Sequence, residues 1–132
     1  MSYHFTVILD CTFDEAIDKA TAALKAKGLG VLTTINVQNA MKEKLGEDIN
    51  PYTILGACSP SHAFKAIKAE NKIGVMLPCN VLVQQRDDGK IEVSIVDPIA
   101  SMSAIKNESL GVVAMEVQDL LKSVAADLEA AA

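Results

Sequence analysis

Two apolar segments joined by a short turn sequence constrain the fold of this chain more than any other feature. Residues 77–85, LPCNVLVQQ, and residues 90–96, KIEVSIV, flank the sequence RDDG at residues 86–89. An Asp-Gly pair between two segments of alternating hydrophobicity is typical of a β-hairpin. The chain is therefore predicted to contain an antiparallel sheet.

The alternation also selects the register of this hairpin. A two-residue turn would pair Val83 with Ser94 and mix the two faces, whereas a three-residue turn over residues 87–89 pairs Val83 with Val93. Because a slip of one residue exchanges the faces of a strand, we predict the second register. Gly89 then takes the left-handed conformation beside a bulge, and Cys79 shares the apolar face.

The remaining segments alternate between strand and helix periodicity. Thr12 and Glu15 have the spacing of a capping box, and Gly28 is a suitable C-terminal stop. Pro60 suits the first turn of a later helix, because its missing N–H would have no partner there. The predicted strands are residues 3–9, 31–37 and 52–59, and the predicted helices are 12–27, 38–45 and 59–71.

Two of the predicted helices carry an apolar stripe. The helix after Pro60 is expected to turn Ala63, Phe64 and Ile67 inward. The chain ends in a long helix predicted to pack across the sheet, with a stripe formed by Leu110, Val113, Val117, Leu120, Val124 and Leu128. Residues 99–109, between Pro98 and this stripe, are predicted to form a loop.

This order of elements favours one fold class. A parallel doubly wound sheet would fit the strand and helix alternation, but the glycine-rich phosphate loop of such folds is missing and the middle helices are short. We predict an α+β fold with a mainly antiparallel sheet and helices mainly on one face, formed by residues 1–132 as a single domain.

Charge and composition exclude several classes of function. The net charge is −5 and the pI about 4.9, which argues against the clustered Lys and Arg of a nucleic-acid binder. Three Phe, two Tyr and no Trp also provide no stacking platform for bases. The mean hydropathy is +0.25, yet no apolar run approaches the roughly 18 residues of a membrane span. MSYHFTVILD lacks the pattern of a secretory leader, so we expect a cytoplasmic protein with three reduced cysteines.

Two cysteine segments are the candidate site. GACSP holds Cys58 at the end of the third predicted strand, and LPCN holds Cys79 at the start of the fourth, so the thiols meet if these strands adjoin. Cys58, His62 and Cys79 would then be ligands for Zn²⁺ or Cu(I). Alternatively, the thiols serve a redox or sulfur-transfer reaction, which requires a lowered thiol pKa, or they are small buried apolar residues.

Three segments together resemble an uncharacterised bacterial and archaeal family, domain of unknown function 302. They are YTILGACSPSHAFKAI, IGVMLPCNVLVQQRDDGKIEV and VDPIASM, and the resemblance extends from about Tyr3 to Met102. It is most specific at Cys58, Pro60, Ala63, Gly74, Leu77, Pro78, Cys79, Asn80, Asp97 and Pro98. Ser59 departs from the family pattern, in which Asn is usual at this position.

The resemblance implies a fold similar to the TATA-binding-protein-like or helix-grip class, in which a curved antiparallel sheet wraps a long C-terminal helix. It also implies a homodimer, and it brings no activity, substrate or cofactor.

Fold and composition together predict a binding protein without catalysis. The chain has no recognisable catalytic motif, and a helix over a curved sheet leaves space for a cleft. We expect an apolar small molecule to bind there, with a second copy of the chain as partner. The candidate ligand-binding residues are Cys58, Pro60, His62, Cys79, Asn80 and Asp97. Asp97 would accept turn hydrogen bonds or orient His62.

Overall fold

A computed structural model describes residues 2–131 of the chain. Five strands form one antiparallel sheet in the order β1-β5-β4-β3-β2. The strands are β1 (His4–Leu9), β2 (Gly30–Asn36), β3 (Tyr52–Cys58), β4 (Cys79–Gln85) and β5 (Ile91–Val96). The helices are α1 (Phe13–Ala26), α2 (Val37–Leu45), α3 (Pro60–Ala69), α4 (Pro98–Ser101) and α5 (Glu108–Ala130), with a 3₁₀ turn at Ile73–Met76.

The hairpin has the predicted register. Val83 faces Val93 across β4 and β5, and Arg86 donates its backbone N–H to the carbonyl of Lys90 at 2.8 Å, which closes a three-residue loop. Gly89 has a φ of 87°, a conformation that residues with a Cβ rarely adopt.

Local sequence signals also set the ends of α1. The Thr12 hydroxyl accepts the backbone N–H of Glu15 at 3.1 Å, and the Glu15 carboxylate accepts the N–H of Thr12 at 3.0 Å. This is the predicted capping box. The hydrogen bond to the Thr12 N–H lowers the pKa of Glu15 because it favours the carboxylate. Gly28, with a φ of 78°, follows the helix end.

The core lies between one face of the sheet and the helices α1 and α5. The inward side chains of β1, β3, β4 and β5 alternate with outward ones, as half-buried strands do. The fully buried large side chains include Leu9, Leu24, Leu55, Ile73, Val81, Val83, Ile91, Ile95, Leu110, Leu121 and Leu128. The predicted α+β fold with a long C-terminal helix on an antiparallel sheet is therefore confirmed. Over residues 2–131, none of the helices has the combined length and apolar character of a membrane span.

Two helix faces differ from the prediction. In α3, Phe64 and Ile67 are 63% and 48% exposed, and Ala66 is the buried residue. Since α3 packs beside α5, the small side chain of Ala66 allows the two helices to approach. In α5, the predicted stripe contained Leu120, but Leu121 is the fully buried residue and Leu120 is half-buried. Leu121 lies seven residues, or about two helical turns, after the buried Ala114 and therefore on the same face of the helix.

The segment after β5 also differs from the prediction. Pro98 begins the short helix α4, where a loop was expected. Asp97 is the N-cap of α4, and its carboxylate accepts the backbone N–H of Ile99 at 3.0 Å. Pro at the first helical position after a capping Asp is a helix-start signal.

Candidate functional site

The two cysteine segments lie at the same end of the sheet. β3 and β4 are neighbours, and Ala57 faces Cys79 across them, so Cys58 lies one residue beyond the partner of Cys79. Cys79 is 8% exposed and Cys58 is half-buried, and both are free thiols. The expected adjacency of the third and fourth strands is thus present.

The environment of these thiols favours their protonated form. Burial raises the pKa of the Cys79 thiol to about 11, with a smaller contribution from Cys58. Burial also raises the pKa of Cys58. A reactive cysteine requires a lowered thiol pKa, because the thiolate is the nucleophile. Burial of the two thiols therefore does not favour the redox and sulfur-transfer hypothesis.

His62 makes hydrogen bonds with both ring nitrogens. Nδ1 lies 2.7 Å from the Ser59 hydroxyl, and Nε2 lies 3.2 Å from a carboxylate oxygen of Glu116 on α5. Ser59 is the N-cap residue of α3 but makes no side-chain cap hydrogen bond. Within residues 2–131, no three His, Cys, Asp or Glu side chains are grouped to hold a metal ion. Cys58, His62 and Cys79 line the same small cavity but do not form such a group.

The expectation that Asp97 orients His62 is wrong. Besides capping α4, the Asp97 carboxylate accepts a hydrogen bond from the Gln118 amide at 3.1 Å. The partner of His62 is instead Glu116, which α5 places beside α3. Asp97 therefore accepts a turn hydrogen bond, as the other prediction for this residue stated. Its hydrogen bond with Gln118 also connects the start of α4 to α5.

The cavity at the cysteine end is small. Its volume is about 30 Å³, and Cys58, His62 and Cys79 line it together with mostly apolar residues of α3 and α5. A cavity of this size holds a water molecule or two, whereas sites for small organic ligands are roughly 300–1,000 Å³. Pro60 and Asp97 do not line the cavity, and Asn80 is exposed.

The opposite face of the sheet carries a much larger concavity. Its volume is about 590 Å³, and no helix contributes to its lining. The lining residues are Tyr3, His4, Thr6, Tyr52, Ile54, Asn80, Leu82, Gln84, Glu92, Ser94 and Val96. We call this surface the open sheet face. Of the predicted site residues, it includes Asn80.

Polar and apolar side chains are both present on the open sheet face. The Thr6 hydroxyl lies 2.7 Å from His4 Nδ1 and 3.0 Å from the Ser94 hydroxyl, which joins β1 to β5 through side chains. The Gln84 amide donates to Glu92 at 3.4 Å. Hydroxyl, imidazole, amide and carboxylate groups therefore lie beside the apolar residues of this face.

Sequence reasoning missed most of this surface, although a signal for it exists. Ile54, Leu82 and Val96 occupy outward positions of their strands, where a solvated face would carry polar residues. The strand alternation identified the inward face correctly. The apolar residues at outward positions, where polar residues are expected, mark the open sheet face.

A groove beside α5 is the third open region. Its volume is about 520 Å³, and it lies between α4 with the following loop and the first turns of α5. Its lining is almost entirely apolar, with Ile99, Ile105, Val112 and Met115 among its members. It lacks the mixture of polar groups found on the open sheet face.

Comparison with known proteins identifies the family. No curated protein matches the chain. A crystal structure of an uncharacterised conserved DUF302 protein from Bacillus stearothermophilus is similar, with 26% sequence identity and a TM-score of 0.88 over 96% of this chain and 98% of that chain. The family model described as "Domain of unknown function DUF302" matches residues 5–128. This match confirms the resemblance carried by the cysteine and hairpin segments. The chain therefore belongs to the DUF302 family, whose function is unknown.

Proposed function

We propose that this protein is a non-catalytic binding domain whose open sheet face holds a small molecule with an apolar body and hydrogen-bonding groups. The observation that carries the proposal is the size of this concavity, about 590 Å³, compared with about 30 Å³ at the cysteine end. Ligand sites commonly combine such a volume with a few polar groups that orient the ligand. This moves the expected site from the cysteines to the other face of the sheet.

The lining of the open sheet face indicates the chemistry of the ligand. Ile54, Leu82 and Val96 offer apolar contact, and Tyr3 and Tyr52 add aromatic surface. The hydroxyl, imidazole and amide groups beside them suit a ligand with neutral hydrogen-bonding groups. These features support this face over the groove beside α5, whose lining offers little to fix a ligand's orientation.

Two further parts of the proposal concern assembly and compartment. We propose that the protein acts as a homodimer, since the chain exposes many large apolar residues on surfaces other than the open sheet face. We also propose a cytoplasmic location, which is supported by the three cysteines, all free thiols in the structure.

A titration with 2-naphthol tests the ligand site, because this probe combines an aromatic body with one hydroxyl. We expect chemical-shift changes in the backbone amides of β1, β4 and β5, measured by NMR on ¹⁵N-labelled protein. Ser94→Phe should abolish these changes, because Ser94 lines the concavity and the larger side chain would occupy part of it.

Ser109→Phe is the matched control, because Ser109 is exposed on α5. This variant should bind 2-naphthol as the wild type does. Shifts confined to the α4–α5 groove, or equal binding by Ser94→Phe with a wild-type fold by circular dichroism, would reject the open sheet face as the site.

A further inference from the structure

Residues 30–50 form a folded segment without any buried residue. This β2–α2 segment comprises β2, α2 and the loop that follows α2, and the structure describes all 21 of its residues, numbers 30 to 50 inclusive. Eight of them are apolar: Val31, Leu32, Ile35, Val37, Ala40, Met41, Leu45 and Ile49. Leu32, Ile35 and Leu45 are 67%, 50% and 68% exposed. Each of the other four strands has at least two buried residues.

β2 is an edge strand whose outer side carries no charged residue and no proline. It pairs with β3 on one side only, so part of its backbone N–H and C=O groups lack strand partners. Proteins normally protect such an edge with charged residues, proline or a bulge. The β2 sequence GVLTTIN contains no charged residue and no proline, and its one irregularity in pairing, between Val31 and Thr33, leaves residues 33–36 as a regular strand. The edge is therefore suited to pair with another strand.

α2 needs more packing than the described residues provide. A helix of nine residues is marginal by itself in water, and most helical stability in proteins comes from packing an apolar face. α2 has good end signals, with Asn36 accepting the N–H of Asn39 at 2.9 Å and Gly46 in the left-handed region. Its packing against β3 is partial: Val37, Gln38, Ala40 and Met41 are half-buried, and the other five residues are exposed. The exposed side of α2 is therefore available to another surface.

We propose that the β2–α2 segment is the surface through which two copies of the chain associate, with β2 pairing antiparallel to β2 of the second copy. This inference rests on the homodimer proposed above and gives it a location. A twofold axis brings the same strand against itself, and because β2 has no charge, no like charges oppose each other across the axis. Antiparallel pairing would satisfy the free backbone groups of both edges.

The size of the segment also fits a second copy. Stable protein interfaces involve about 20–30 residues from each partner, and the segment supplies 21 contiguous ones. The charged residues that flank the apolar positions are of both signs, with Lys42 bonded to Asp48 at 3.1 Å within the segment. The surface therefore has no single-sign field that would repel its own copy.

Native mass spectrometry of the wild type and one double variant tests this proposal. The wild type should have twice the chain mass of 14.0 kDa. Leu32→Lys/Ile35→Lys should have the mass of one chain. The reason is that the introduced lysines of the two copies would lie close together at the interface and repel each other. Both replaced side chains are exposed in a single chain, so circular dichroism should show that the variant is folded.

Val112→Lys/Met115→Lys is the control. These α5 residues are 58% and 61% exposed, similar to Leu32 and Ile35, and the variant should remain a dimer. Hydrogen exchange should in addition show greater protection of residues 30–36 in the wild type than in the monomeric variant.

The possible failures are distinguishable. A wild type with the mass of one chain would overturn the homodimer and this interface together, without affecting the 2-naphthol result. A dimer that survives Leu32→Lys/Ile35→Lys, or that dissociates only in the α5 control variant, would overturn the interface alone.

Discussion

Of the three cysteines, Cys79 is the buried one. It lies at the start of β4, 8% exposed and facing Ala57. Burial favours the neutral thiol over the thiolate, and a negative charge on nearby Cys58 would disfavour the thiolate further. The residue that looked most chemical in the sequence is therefore held in its less reactive form.

We predict that Cys79 contributes to stability below about pH 9 and loses this contribution as the pH rises. Its pKa is about 11 in the folded protein, against an ordinary value of 9.0. Below pH 9 the thiol is protonated in both states, and between pH 9 and 11 only the unfolded chain releases its proton. The free energy of unfolding should fall across this interval by about 2–3 kcal/mol, at about 1.4 kcal/mol per pH unit.

Urea denaturation between pH 8 and pH 11 measures this effect, with Cys79→Ala as the reference that removes the titrating group. The stability difference between the wild type and the variant should shrink as the pH rises. Iodoacetamide should also alkylate native Cys79 at pH 7 far more slowly than the unfolded chain. A pH-independent difference, or rapid native alkylation, would contradict the burial argument.

Gly56 shows how a residue without a side chain shapes the same end of the sheet. A Cβ at this position would overlap the Thr33 hydroxyl and approach Cγ of Pro78 to 2.7 Å. Close packing at the boundary of β2, β3 and the turn before β4 therefore depends on glycine, although its backbone φ lies outside the left-handed region.

At the level of elements, α5 connects the separate parts of the helical layer. It contacts β1 and the helices α1, α3 and α4, and the pairs His62–Glu116 and Asp97–Gln118 join it to α3 and to the start of α4. The face that α5 turns inward thus determines how tightly the other helices pack. Leu120 and Leu121 are adjacent in the chain but differ in burial, which allows a direct test of that face.

We predict that Leu121→Ala lowers the free energy of unfolding by about 2–5 kcal/mol, the range for removing a fully buried leucine side chain. Leu120→Ala should cost about 1 kcal/mol, because Leu120 is only half-buried and its site retains access to water. Urea denaturation of both variants measures the difference. Equal losses, or a larger loss for Leu120→Ala, would indicate that α5 is rotated from the position described.

At the scale of the whole molecule, the sheet has a paired centre and two edge strands, β1 and β2. β3, β4 and β5 pair on both sides, whereas β1 pairs only with β5 and β2 only with β3. The two edge strands differ in burial, because β1 has two buried residues and β2 has none. The buried core is formed by the inward faces of β1, β3, β4 and β5 with α1 and α5. Local opening is therefore expected to be least costly in the β2–α2 segment.

We predict that backbone amides of the β2–α2 segment exchange with solvent before those of β4 and β5 in a single chain. Hydrogen exchange followed by mass spectrometry measures this order, in a sample whose native mass is that of one chain. The physical reason is that opening the segment exposes no buried side chain, whereas opening the central strands exposes the core. Equal protection of β2 and β4 in such a sample would contradict the order of stability.

The sequence by itself determined the features that depend on near neighbours along the chain. The capping box at Thr12 and Glu15, the register of Val83 with Val93 and the helix start at Pro60 all appear as predicted. Each depends on hydrogen bonds, side-chain parity or backbone freedom within a few residues. The same local information identified the α+β class and, through the cysteine and hairpin segments, the family.

Only the tertiary structure decided which side chains meet and which surfaces stay uncovered. It paired His62 with Glu116, 54 positions away in the chain, and it placed the larger concavity on the face opposite Cys79. It also left Phe64 exposed and buried Ala66. These outcomes depend on how closely α3, α5 and the sheet approach one another, and periodicity within one element contains no information about that distance.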